Sequence, residues 1–153
     1  MSHTGASVAL LVAIALGTAP SMSGHGKNSD RDDKQPSSPQ FSARDIRRTY
    51  GFTCSGTASG MPFAQLGTVS CDGIDTCRAT GLTNQDGVKA ISTLVGKYTV
   101  DGNGLGFITY DVSVGGVVVG QLPIEFVLIN GGREIRGLPI VPGFSVVCEL
   151  KEQ

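Results

Sequence analysis

The chain has 153 residues, 40% of them hydrophobic, with 12 basic residues against 13 acidic and a formal net charge of -1. That balance leaves no one-sided field to draw nucleic acid or anionic lipid, so no nucleic-acid partner is expected. Both histidines, His3 and His25, precede the region where strand patterning begins, which takes histidine triads and histidine metal sites away from the folded domain.

Residues 6–16 (ASVALLVAIAL) form an apolar run followed by small residues, with candidate cleavage after Ala19 or Ser23. The run is too short to span a bilayer and reads as the core of a signal peptide over 1–23, although no Lys or Arg precedes it. The expected location is therefore secreted or periplasmic, with no membrane span. Residues 24–40 (GHGKNSDRDDKQPSSPQ) mix charge with Ser, Pro and Gly and lack any aliphatic side chain, so burial there cannot offset the entropy of ordering. They predict a disordered polar linker over 24–44, ahead of a single domain at 45–153.

From Thr49 onward, β-branched and aromatic segments alternate with turn chemistry, and no stretch holds apolar residues at helical spacing over three turns. Turn signals lie at Asp72-Gly73, Asp86-Gly87, residues 101–104 (DGNG), Gly115-Gly116, Gly131-Gly132 and Pro142-Gly143. With a looser loop over 55–63, they predict an all-β fold of eight antiparallel strands. A symmetric turn at Gly102-Asn103 sets Tyr98 opposite Phe107 and Val100 opposite Leu105. Gly115-Gly116 then sets Phe107 opposite Ile124 and Leu105 opposite Phe126. The later turns pair Phe126 with Gly137, Leu128 with Ile135, and Cys148 with Gly137, while Leu94 faces Ala79 and Cys77 faces Cys71. The successive strands thus share one apolar face. Lys97, Thr99, Glu125, Arg136, Glu149 and Lys151 lie on the other.

A meander of this length leaves two exposed edges unless it closes, so an up-and-down barrel with its first and last strands paired is expected. Closure brings Cys54 to Cys148 across the seam, and the remaining cysteines, Cys71 and Cys77, staple a short hairpin. Two structural disulfides are favoured over zinc or redox chemistry, because no Cys-x-x-Cys arm and no nearby histidine is present.

By this register Tyr50, Phe52, Tyr98, Phe107, Thr109, Asp111 and Phe126 face the interior. They are the candidate ligand-binding residues, with Tyr50, Tyr98 and Asp111 as polar handles. Phe144 also points inward. Glu125 falls outside, diagonal to Arg136, where an ion pair explains it better than acid–base chemistry. The run DGNGLGFITYDV resembles a calcium loop at Asp101, Asn103 and Gly106. It has Leu105 and Val112 where oxygen donors are needed, so a hairpin turn is expected. No metal and no cofactor is expected, and no catalytic residue stands out. On the outside, Ile108, Tyr110, Val127, Ile129 and Leu138 form an apolar patch suited to a homodimer contact.

The phrases TYGFTCSG (49–56), GKYTVDGNGLGFITY (96–110) and FVLINGGREIRGLPIVPG (126–143) resemble small exported bacterial β-barrel proteins of unassigned function. The resemblance implies a bacterial secreted barrel and brings no catalytic residues with it. Likeness to lipocalin-like and allene-oxide-cyclase-like barrels is one of architecture, which does not carry function. The expected function is a non-enzymatic exported barrel with a small apolar ligand inside. The alternatives are an extracellular interaction or inhibitor module with a solid core, and a cofactor-free cyclase-type barrel enzyme.

Overall fold

The computed structural model describes residues 41–153. The expected signal peptide and most of the expected linker lie outside the described residues. A 3-10 turn, Ala43–Ile46, leads into eight strands: β1 (Thr49–Ala58), β2 (Met61–Cys71), β3 (Thr76–Gln85), β4 (Val88–Val100), β5 (Leu105–Val114), β6 (Val117–Ile129), β7 (Glu134–Pro139) and β8 (Phe144–Glu152). Each pairs antiparallel with its neighbours in sequence, and β1 pairs with β8, so the sheet closes into an up-and-down barrel. Cys54 stands directly opposite Cys148 across that seam, Cys71 opposite Cys77, and both pairs are disulfide-bonded.

The strands follow from their alternation. Along β4, Ser92, Leu94, Gly96 and Tyr98 are buried while Ile91, Thr93, Val95, Lys97 and Thr99 face water. Large inward rings need space, and glycines on neighbouring strands supply it. A Cβ at Gly67 would come within 2.9 Å of Phe52 Cε1, and one at Gly96 within 2.7 Å of the Tyr110 ring. One at Gly106 would overlap Phe126, so of the two glycines directly opposite Phe126, Gly106 on β5 and Gly137 on β7, the ring covers Gly106.

Three hairpins are two-residue turns at one end of the barrel. Ser59-Gly60, Asp86-Gly87 and Gly115-Gly116 carry positive φ at both positions and match the right-handed twist of the flanking strands. The expected loop over 55–63 is corrected accordingly: Ala58 pairs with Met61 and the strands run nearly to the turn.

The predicted register holds at β3–β4, β6–β7, β7–β8 and the seam, but fails on one strand. Tyr98 pairs with Ile108, not Phe107, and Ile108 pairs with Ile124. The cause lies in the turn at 101–104. The Asp101 carboxylate accepts hydrogen bonds from the N–H groups of Asn103 and Leu105, the Gly104 N–H donates to the Asp101 carbonyl, and Gly104 sits at φ +83. This turn plus a left-handed glycine adds a residue that a symmetric two-residue turn lacks. A second irregularity cancels the shift: Val112 pairs with Gly120 but Ser113 with Val118, leaving Val119 as the extra residue. β6 therefore keeps its expected faces, and β5 alone is turned over.

Residues 41–48 close one end of the barrel. Ile46 is fully buried, the Phe41 ring lies against Gly104, and Asp45 backbone abuts Gly132. Arg48 pairs with Glu152 at 2.6 Å, and the Arg48 carbonyl accepts from the Cys71 N–H. Phe41 and Ala43, placed in the linker by composition, thus pack against the core.

Candidate functional site

The interior is not filled to the axis. A cavity of about 90 Å³ runs from Ile46 at the plugged end to Pro139 and Phe144 at the other. Its walls are mainly apolar, with Val69, Ala79, Leu94, Ile108, Ile124 and Val146 contributing from six different strands and Gln65 adding a polar side chain. Half-buried Phe63 and Phe144 stand at the unplugged end with ring centroids 6.1 Å apart.

Of the residues expected to line the interior, Phe52, Tyr98 and Phe126 do so. Tyr50 is wholly buried, but its hydroxyl donates to the Gly132 carbonyl at 2.6 Å and fastens the plugged end. The Tyr98 hydroxyl likewise donates to the Ala43 carbonyl at 3.2 Å. Burial pushes both phenols up to about 12, for Tyr50 against the opposing charge of Arg48 and for Tyr98 against a backbone hydrogen bond from Gly73.

Phe107, Thr109 and Asp111 are corrected to the outer wall, because β5 presents its other face inward. Phe107 is 40% exposed between Thr99 and Glu125, and Asp111 accepts a hydrogen bond from Gln121 Nε2 at 3.0 Å. The same reversal moves Ile108 and Tyr110 from the proposed dimer patch into the core, while Val127, Ile129 and Leu138 stay outside.

Tyr110, like Ile108, is a lining residue that register reasoning missed. It is 8% exposed, and burial alone drives its phenol well above the ordinary range, with no charge or hydrogen bond contributing. Local polarity carried the signal. In ITYDV (108–112), Ile108, Tyr110 and Val112 alternate with Thr109 and Asp111, which favours the first set inside.

The remaining polar side chains have local roles. Gln65 Nε2 donates to buried Ser92 Oγ, and Asp72 Oδ1 accepts from the N–H groups of Ile74, Asp75 and Thr76 within the stapled turn. Among the described residues no group of three or more His, Cys, Asp or Glu side chains is placed to hold a metal ion. Set against known proteins, the chain matches no protein-family model, no curated protein and no solved structure.

Proposed function

We propose that the protein is an exported, non-enzymatic barrel that holds a small apolar molecule in its interior. The observation that carries this reading is the apolar cavity itself, about 90 Å³ within an otherwise closely filled barrel. Its size bounds the ligand. Drug-sized sites run to about 300–1,000 Å³, whereas an engineered apolar cavity of about 150 Å³ takes benzene or xenon. A molecule of roughly five or six heavy atoms is the match.

Export is supported by the two disulfides, which persist in oxidising compartments. Among the described residues no helix is long and apolar enough to cross a membrane. The barrel wall has charged Lys97, Glu125, Arg136 and Glu149 outside and apolar residues inside, the reverse of a membrane-spanning barrel.

The test is xenon binding to the oxidised protein, followed by xenon NMR, with Ala79→Leu as the cavity-filling variant. Xenon should exchange into the wild type and be excluded from the variant. Equal xenon signals from the two proteins, or none from the wild type, would refute interior binding.

A second reading, an extracellular interaction module, is favoured by one feature of the outer wall. Leu66, Leu82 and Ile91 stand directly opposite one another on β2, β3 and β4 and are 58%, 42% and 66% exposed. An unbroken apolar row of this kind suits a partner surface. Light scattering of a Leu66→Lys, Leu82→Lys variant checks it for self-association, which the substitutions should abolish if this row is the contact.

A further inference from the structure

We propose that the cavity is built for a small neutral molecule with an apolar body and one hydrogen-bonding oxygen or nitrogen, which the Tyr110 hydroxyl holds. The inference rests on the reading of the cavity as a ligand site and names the chemistry that site selects.

Three tyrosines occupy the chain, and all lie inside the barrel. Two have their hydroxyls committed: Tyr50 to the Gly132 carbonyl and Tyr98 to the Ala43 carbonyl. Tyr110 differs. It lines the cavity, is more than nine-tenths buried, and among the described residues no hydrogen bond reaches its hydroxyl. Yet among the described residues no buried side-chain oxygen or nitrogen is both sealed from solvent and unpartnered. The Tyr110 hydroxyl therefore borders space that a water-sized molecule can enter. Its ring is wedged over Gly96, which sets the hydroxyl's position from the β4 side.

A phenol in an apolar interior is costly when it has no partner, so the Tyr110 hydroxyl is satisfied by whatever enters the cavity, water or the polar atom of a ligand, and it favours ligands that bring such an atom. The ligand is neutral because among the described residues no charged side chain borders the cavity, and an unpaired ion would be strongly disfavoured there. It carries one polar atom because, beside the half-buried Gln65 amide whose Nε2 is committed to Ser92 Oγ, the uncommitted polar group on a buried lining residue is the Tyr110 hydroxyl. The remaining lining favours an aliphatic or single-ring body.

The probes are cyclopentanone and methylenecyclopentane, the same shape with carbon in place of the oxygen, titrated by NMR into the oxidised full chain and its Tyr110→Phe variant. Loss of one hydrogen bond should weaken cyclopentanone about five- to tenfold in the variant and leave methylenecyclopentane within about twofold. Tyr50→Phe, whose hydroxyl is committed to the Gly132 carbonyl and whose ring is not among the residues lining the cavity, should leave the ratio of the two affinities unchanged.

If both probes bind both proteins and Tyr110→Phe does not alter their ratio, the role of Tyr110 is overturned while the cavity remains a ligand site. If neither probe binds the wild type, the cavity reading fails and this inference with it. Should Tyr110→Phe not fold, the carbonyl stretch of cyclopentanone bound to the wild type decides. A shift to lower frequency than in hydrocarbon solvent is expected, and an unshifted band overturns the proposal.

Discussion

The three tyrosines hold their phenols in the un-ionised form by burial, and two of them use that form to donate to backbone carbonyls at the plugged end. A phenolate cannot donate, so ionisation and loss of the plug are coupled. The sign follows from the direction of the shift. For Tyr50 and Tyr98 the folded value of about 12 exceeds the ordinary 10.0, so their contribution to stability is complete below pH 10 and is lost as pH rises through 12. Absorbance titration should show no tyrosinate near pH 10 in the folded protein, with ionisation appearing together with loss of near-ultraviolet dichroism between about pH 10 and 12. A phenol titrating near 10 in an intact barrel would contradict the burial on which the account of these residues depends.

Among the strands, β5 shows how a turn governs every side chain beyond it. One additional residue at the Asp101 turn rotates the strand by one position, and Val119 on β6 restores the ladder near the Gly115-Gly116 turn. Adjacent positions 107 and 108 therefore have opposite environments, and substitution separates them. Phe107→Lys places a charge in water opposite Glu125 and should cost no more than about 1 kcal/mol, whereas Ile108→Lys buries an unpaired ammonium and should cost more than about 3 kcal/mol or prevent folding. Urea unfolding of the two variants measures this. The opposite order would restore the symmetric register, with Phe107, Thr109 and Asp111 inside.

For the barrel as a whole, closure is the decisive feature, since it satisfies the edge groups of β1 and β8 and encloses the cavity. The two disulfides act on it unequally. The seam bond joins residues 94 apart and the hairpin bond residues 6 apart. Chain entropy assigns about 4.7 kcal/mol to the first and about 2.4 kcal/mol to the second. Denaturant unfolding of the Cys54→Ala, Cys148→Ala and Cys71→Ala, Cys77→Ala double variants should show the larger loss for the seam pair. A larger loss for the hairpin pair would mean that backbone pairing, and not the bridge, dominates closure.

Much of this was legible in the chain because it is local. Asp-Gly and Gly-Gly turns set hairpins, alternation sets faces, and a common face over eight strands places Cys54 beside Cys148 once the edges must pair. The orientation of β5 was less so: its first residues carry apolar side chains on both faces, so Leu105 and Phe107 fit either register until the hydrogen bonds of Asp101 select one. The plug at 41–48 was hidden by its polar composition, because Phe41 and Ile46 gain their burial from strand ends distant in sequence. Composition and periodicity determined that the chain forms a closed, apolar-centred sheet. Whether its centre is empty depended on how deeply the rings of Phe52, Tyr110 and Phe126 settle over glycines of other strands, and volume left between side chains is a sum over the whole packed interior that no local pattern contains.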